Sequence, residues 1–458
     1  MPTTTTTTTT PHPHILIVGA GIAGPALAYW LHTLLPSRGA HITLVEHAPA
    51  PRLGGQAVDV RSAAVPIVRR MGLLDQVRAK TTTEAGIDFV YADGVTKARF
   101  LASGNEERQS FTSEYEILRG DLAGLLYDAT KALENVNYVF DETISQITQL
   151  DNDDDTTANT TSITSTKSAR GVHVEFANHL PPATYDLVVG ADGIMSRTRR
   201  SVFGRGAPGN DYDYDYDYVH RLGQYAAYFS IATTCDDSEY AEWYNASRGR
   251  LIFKRPDRYG TTRIYMAVTD GNLARFDGID ALLRAKNVGE QKKWLASEFE
   301  GAGWLTERVL KGMMESEDFY MQQIAQVKMP TWSKGHVALV GDAAYCPSPI
   351  SGVGACSAIV GAYVLAGEVS KSPDDIPAAL KRYEATTRTY VGRAQRLIPG
   401  APQIANPQTE WGIRIFNKAT GFLSHPILRG FGGLVGRFIP AFGGTEWNAP
   451  EYAVAGQA

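Results

Sequence analysis

A glycine turn set between two regular segments near the start limits this chain's fold more than any other feature. HILIV (14–18) is a short continuous apolar run, the mark of a strand buried on both faces. Gly19-Ala20-Gly21-Ile22-Ala23-Gly24 follows it, AGPALAYWLHTLL runs on with helical spacing, and HITLVE (41–46) returns as a second strand. The unit is a parallel βαβ opening. Gly19 permits the tight turn, Gly21 lets the backbone approach a pyrophosphate, and Gly24 lets helix and strand pack closely. The helix start offers free N–H donors to phosphate. Glu46 stands 22 residues after Gly24, where an acid accepts hydrogen bonds from a ribose diol. Gly19, Ala20, Gly21, Ile22, Ala23, Gly24 and Glu46 are therefore expected to bind a dinucleotide. The turn alone does not separate a nicotinamide from a flavin.

A second unit bears on that choice. HVALVGDAA (336–344) is an apolar strand ending in Gly341-Asp342, and SGVGACSAIVGAYVLAGEV (351–369) is a helix rich in small residues, with the proline-rich YCPSPI between them. An Asp at a strand end can hold the ribityl hydroxyls of a flavin. A helix opened by Gly352 and Gly354 can stabilise negative charge on the pyrimidine edge of its ring. NAD has no ribityl chain, so this unit favours FAD. A third motif, DLVVGADGIMSRTRR (186–200), places Asp192-Gly193 after a strand, with Ser196 and Arg199 following. By itself it suits a capped helix start, with Asp192 as N-cap, as well as a cofactor contact.

Two such units more than 300 residues apart imply one domain assembled from separated segments, with the intervening chain inserted. The insertion reads as antiparallel hairpins, as in LIFKRPDRYGTTRIYMAV. We expect an α/β architecture. The dinucleotide domain takes residues 14–85, 115–205 and 325–400, the inserted sheet 86–114 and 206–324, and a C-terminal helical extension 401–458. A chain of 458 residues has ample length for this. Residues 1–13 (MPTTTTTTTTPHP) read as a disordered leader, 152–168 as a polar surface loop, and the Asp-Tyr repeat 211–218 as an exposed edge or loop. The 44 Lys and Arg against 49 Asp and Glu give a net charge of −5, which does not recruit nucleic acid. Three scattered cysteines make neither a disulfide framework nor a metal site. No apolar run is long enough for a membrane span, and the expected location is the cytoplasm.

GxGxxG, DGxxSxxR and GDAAxxxxPxxGxG, in this order, resemble the group A flavin monooxygenases of the p-hydroxybenzoate hydroxylase fold, closest to the branch of tetracycline-inactivating monooxygenases and fungal polyketide hydroxylases. The resemblance covers roughly residues 14–370. It implies a Rossmann-like FAD domain with non-covalent FAD, reduction by NADPH or NADH, and a flavin C4a-hydroperoxide that hydroxylates an aromatic or polycyclic small molecule, in secondary metabolism. Carried over, Gly19, Gly21 and Gly24 contact the pyrophosphate and Glu46 the adenosine ribose. Arg119 opens the next helix and reaches FAD. Asp192 and Gly193 join the cofactor site, and Asp342, Pro349, Gly352, Val353 and Gly354 line the isoalloxazine. Gly54, Gly55, Gln56 and Asp59 fall in the loop beside the flavin, where a plain surface turn is an equal reading. Tyr228, Arg250 and Tyr265 fall on strands over the flavin. There a Tyr could hydrogen-bond or deprotonate a phenol and Arg250 could stabilise a phenolate.

Four residues depart from the family pattern. His47 stands where many members have Arg, Tyr345 replaces a His, and Cys356 and Gly361 replace an Asn and an Asp. Cys346 is read as packing rather than as a covalent flavin link. Residues 412–442 are cationic and acid-free, which suits a helix closing the substrate entrance or, alternatively, contact with an anionic membrane surface. The alternatives to hydroxylation are epoxidation, Baeyer–Villiger oxygenation and an oxidase needing no NAD(P)H. A halogenase is disfavoured because no W-x-W occurs.

Overall fold

The computed structural model describes residues 12–35, 39–52, 54–82, 84–101, 115–150, 171–204, 218–424 and 447–453. Residues 1–11, the polar tract 152–168, the repeat 211–217 and the basic stretch from 425 on lie outside them.

The apolar run His14–Val18 forms the middle of a six-stranded sheet in the order Ser333–Lys334, Val337–Leu339, Leu187–Gly190, His14–Val18, His41–Glu46, Val136–Phe140. All neighbours are parallel except the first pair. Its alternation explains why the run is apolar throughout. Ile15 and Ile17 face a helical layer built by Ala23–Leu34 and Gly354–Lys371. Leu16 and Val18 face a three-stranded antiparallel sheet, Ile144–Leu150, Gly171–Phe176 and Ala183–Tyr185. A strand covered on both sides has no face for polar residues. The strands that lead into the three motifs, Val337–Leu339, Leu187–Gly190 and His14–Val18, are immediate neighbours, so all three motif turns emerge at one carboxyl edge. That edge is where open α/β sheets bind ligands.

The inserted chain forms a seven-stranded sheet in the order Tyr320–Val327, Val219–Ala232, Thr261–Thr269, Arg250–Pro256, Ala241–Ala246, Gly86–Val90, Thr96–Leu101. Alternate side chains of each strand point to its two faces and pack into separate clusters. The outer face (Tyr225, Phe229, Tyr244, Ile252, Ile264, Met266) is sealed by the helices Asp277–Arg284, Val288–Phe299 and Thr306–Glu315. On the inner face, Ala226, Tyr228, Leu251, Ala267 and Ile324 pack with Ile350, from the loop after the second motif. The sheet therefore stands over the carboxyl edge of the other domain.

The C-terminal part is helical at Ala401–Ala405 and Glu410–Leu423. The second helix lies on the sheet through Phe416, whose ring is 5.8 Å from Phe89. Residues 447–453 return as an extended strap, with Tyr452 buried and its hydroxyl donating to Glu368. Gly367 makes this docking possible, because a Cβ there would lie 2.2 Å from the Tyr452 ring. Among the described residues no helix is long and apolar enough to cross a membrane.

Candidate active site

The first motif is built as its spacing predicts. Gly19 adopts φ +110°, and a Cβ on it would meet the Ala191 carbonyl oxygen at 2.5 Å. A Cβ on Gly24 would lie 2.0 Å from the Gly19 oxygen. Gly21 differs from both: the nearest atom to its missing Cβ is Nη2 of Arg119, at 3.6 Å. Its open side is a cradle for a group that approaches the backbone and meets a guanidinium. Ile22 and Ala23 lead into the helix Ala23–Leu34, where Ile22 occupies the N-cap and gives no side-chain cap, so the first N–H groups stay free for an anion. The Arg119 guanidinium makes no hydrogen bond with the described residues, although it is enclosed. Burial and Arg52 push its pKa down, against the pull of Asp342 and Glu46.

Glu46 bends back under this turn. Ala20 N donates to its Oε2 at 2.9 Å and Ala48 N to its Oε1 at 3.0 Å, with His47 Nδ1 at 2.8 Å. Burial alone would raise its pKa. The His47 ring, the two amides and Arg52 outweigh burial and bring it down to about 2. Glu46 is thus ionised, oriented, and able to accept further hydrogen bonds on its remaining lone pairs.

The second motif meets the first. Gly341 (φ +64°) approaches Ala23, and Gly354 approaches the Asp342 carboxylate. Asp342 is exposed into the crevice, yet burial by the surrounding walls raises its pKa while Cys346 and Arg119 lower it. Pro349 is exposed, and Gly352 and Val353 are half-buried beside the uncapped start of Gly354–Lys371. Three further residues come to this region. Gly55 (φ +128°) packs on the Arg119 side chain, and Gln56 accepts Arg119 N through its carbonyl at 2.9 Å. Asp59 reaches the Gly352 position but gives its carboxylate to Arg61. The loop also stores strain that no motif announces. Ser348, between two prolines, holds φ +81° and ψ +145°, a region proper to glycine. Pairing of its oxygens with Ile350 N, Ser351 N and Ser351 Oγ keeps it there.

Asp192 and Arg250 find partners of their own, and for Arg250 this corrects the expectation. The carboxylate of Asp192 is taken by Ser196 Oγ, Thr198 N and Thr198 Oγ1. It organises its own loop ahead of the helix Arg197–Phe203, whose N-cap is Ser196. Gly193 (φ +78°) is the open turn next to it. Arg199, fully buried, donates to the carbonyls of Ala343 and Ile194 and so ties the third motif to the second. Arg250 lies on the sheet's outer face, donating to the carbonyls of Ser247, Glu298 and Glu300, where it caps the end of Val288–Phe299. It cannot meet a substrate over the inner face.

The inner face carries what the sequence did not disclose. Tyr320, Tyr228, Tyr265, Phe253, Trp243 and Phe89 are successive cross-strand partners on six adjacent strands. They form one aromatic row: Tyr320 and Tyr228 stack at 6.1 Å, Tyr228 and Tyr265 lie at 5.1 Å, Trp243 and Phe253 at 5.3 Å, and Phe89 and Trp243 at 5.9 Å. Tyr320 adjoins the crevice, where its titration feels Arg119, Arg52 and Asp342. Tyr228 accepts from Gln322 Nε2 at 3.4 Å, and Tyr265 donates to Gln224 at 3.3 Å. Burial raises the pKa of both, so they are neutral phenols and not bases at neutral pH. Only alternation along single strands was visible in sequence, and register across strands was not.

Three of the departures, Tyr345, Gly361 and Cys356, are met within the packed interior. Tyr345 fills the space over Gly361, where a Cβ would lie 1.7 Å from its hydroxyl, and its ring packs on Trp332. The Cys356 thiol donates to Asp59 O at 3.2 Å and accepts from Arg61 N at 3.3 Å, a donor–acceptor pair such as an amide would supply. Cys346 is buried, and burial with Asp342 drives its pKa well up, which suits a packed thiol.

The comparisons agree with this geometry. A model described as an FAD binding domain matches residues 13–275. The flavin-dependent monooxygenase eupH of Phoma sp. is 36% identical over 89% of this chain and 91% of its own length. Monooxygenase CTB7 of Cercospora beticola is 34% identical over 87% and 89%. Among solved structures, tetracycline destructase Tet(51) is 30% identical and covers 91% of this chain and 98% of its own, with a TM-score of 0.70.

Proposed function

From the premise that the chain belongs to the FAD-binding-domain family of flavin-dependent monooxygenases, we propose that it hydroxylates an aromatic, fused-ring small molecule at the expense of NAD(P)H and O2. The residues fit FAD. Gly21 leaves room for a pyrophosphate beneath Arg119, Glu46 is fixed for a ribose diol, and Asp342 with the uncapped Gly354–Lys371 helix suits the ribityl chain and pyrimidine edge. When bound and reduced by NAD(P)H, FAD supplies the activation of dioxygen for transfer of one oxygen atom to a ring.

The chain's own part is to bind, orient and keep water out. The observation that carries the reading is the aromatic row opposite the crevice. From Tyr320 to Phe253 it spans four strands, or ~14 Å at the usual strand spacing, which suits a flat molecule of several rings. Ile350 joins the ring loop to this face, and Phe416 covers its far end. The fungal relatives and a relative named for destroying tetracycline, itself a fused-ring molecule, support a substrate of this class and a role in secondary metabolism. The purified protein is expected to show a flavin spectrum, to release FAD on heat denaturation, and to oxidise NAD(P)H faster when fused-ring phenols are added. A protein that stays colourless after incubation with excess FAD would overturn the reading.

A further inference from the structure

Resting on the assignment of the aromatic row as the substrate surface, we infer that the site selects an uncharged ring system and keeps a ring hydroxyl protonated while it is bound. Along the row, from Tyr228 to Trp243, the cations that the inner face carries among the described residues, Arg255 and Arg263, are each held between two acids. The cations of these strands are turned away or closed. Arg250 caps a helix on the outer face. Lys254, also outward, is held by Asp237 and Glu242. Arg255 lies 5.4 Å from the Phe253 ring but is closed by two acids, Glu84 and Glu116. Arg263 is closed by Asp257 and Asp318.

The remaining charges sit at the two ends. Arg119, Arg52 and Asp342 belong to the crevice beside Tyr320. At the Phe89 end, Lys97 stands 5.3 Å over the Tyr91 ring, and Arg414 and Lys418 are exposed on the covering helix. A phenolate laid on this row would lose hydration without gaining a cation that is not already paired with acids. The polar groups that do face it are neutral: Gln322, Gln224 and the two tyrosines. Because Tyr228 accepts from Gln322, its own hydroxyl hydrogen remains to be donated. Such a set recognises carbonyls and protonated hydroxyls.

The test uses the FAD-loaded protein and alizarin, a flat dihydroxyanthraquinone whose anion absorbs beyond oxidised flavin. The ionisation midpoint of bound alizarin is expected to rise by at least one pH unit over the free dye, a tenfold preference for the neutral form. Anthraquinone-2-carboxylate is expected to bind at least tenfold more weakly than anthraquinone. Phe253→Lys, which places a cation in the row, should bring the midpoint back down. A lowered midpoint in the native protein, equal binding of the carboxylate, or a midpoint indifferent to Phe253→Lys would each overturn the inference. Failure to take up FAD would instead count against the monooxygenase reading, and the two failures are distinguished before any dye is added.

Discussion

Gly21 and Gly24 lie three residues apart in one turn, and their surroundings give them different tasks. A methyl at Gly24 collides with backbone at 2.0 Å, whereas a methyl at Gly21 enters space beside Arg119. Gly24→Ala is therefore expected to destabilise the apoprotein by about 1–3 kcal/mol or more, as overpacking does. Gly21→Ala should leave its melting temperature nearly unchanged while weakening FAD binding at least tenfold. Thermal unfolding without FAD and a flavin fluorescence titration separate the two. Glu46 makes a pH prediction. Its folded pKa, about 2, lies below its unfolded value of 4.5, so its contribution is fully present above pH 4.5 and is lost as pH falls toward 2. The shift corresponds to about 3 kcal/mol. Urea unfolding should show Glu46→Gln less stable than the native protein by roughly that amount at pH 7, with the gap closing between pH 5 and pH 2.

Between elements, the helix Gly354–Lys371 shows how a sequence departure is absorbed. It is buried almost throughout, and its small residues let neighbours come close. Gly361 admits the Tyr345 hydroxyl, which meets Tyr383 at 3.1 Å, while Gly367 admits the Tyr452 ring. Two positions that look like independent losses of polar family residues are one steric exchange. Gly361→Ala should cost about 2 kcal/mol or more. In a Tyr345→His background the same change should cost well under half of that, a coupling read from a double-mutant cycle of unfolding free energies. If the two penalties simply add, the exchange is not coupled. The strands of the inserted sheet illustrate the limit of reading elements singly. Trp243, Phe253 and Tyr265 each sit in an ordinary alternating strand, and only the registered pairing makes them one surface.

For the molecule as a whole, the question is what holds the inserted sheet over the crevice. Arg255, from the sheet, pairs with Glu116 on the strand Glu116–Leu118 just before Arg119, and with Glu84. Glu84 is buried, so loss of the guanidinium strands a carboxylate. Arg255→Met should lower stability by about 3–5 kcal/mol. Adding Glu84→Gln and Glu116→Gln should recover much of it, since the penalty is an unpaired charge and not a lost contact. Differential scanning calorimetry of the single and triple variants checks this. Weakened holding should also show as poorer exclusion of water, read as NAD(P)H oxidation without matching product.

The glycine turn, its strand and helix, Glu46, Arg119 and Asp342 were legible in sequence because their logic is local: backbone freedom, apolar alternation, and acids or bases at fixed distances from a strand end. Arg250 was placed from the same kind of pattern, and there it misled. Which face of a sheet a side chain takes depends on partners far along the chain. The exchange of Tyr345 with Gly361 and the aromatic row arise from contacts between residues distant in the chain, whereas the strain at Ser348 is held within its own loop. The sequence determined that this chain would hold a flavin dinucleotide at the edge of a parallel sheet. The tertiary structure decided which side chains form the face over that edge, because register between strands, unlike periodicity within one, is set only when the whole sheet packs.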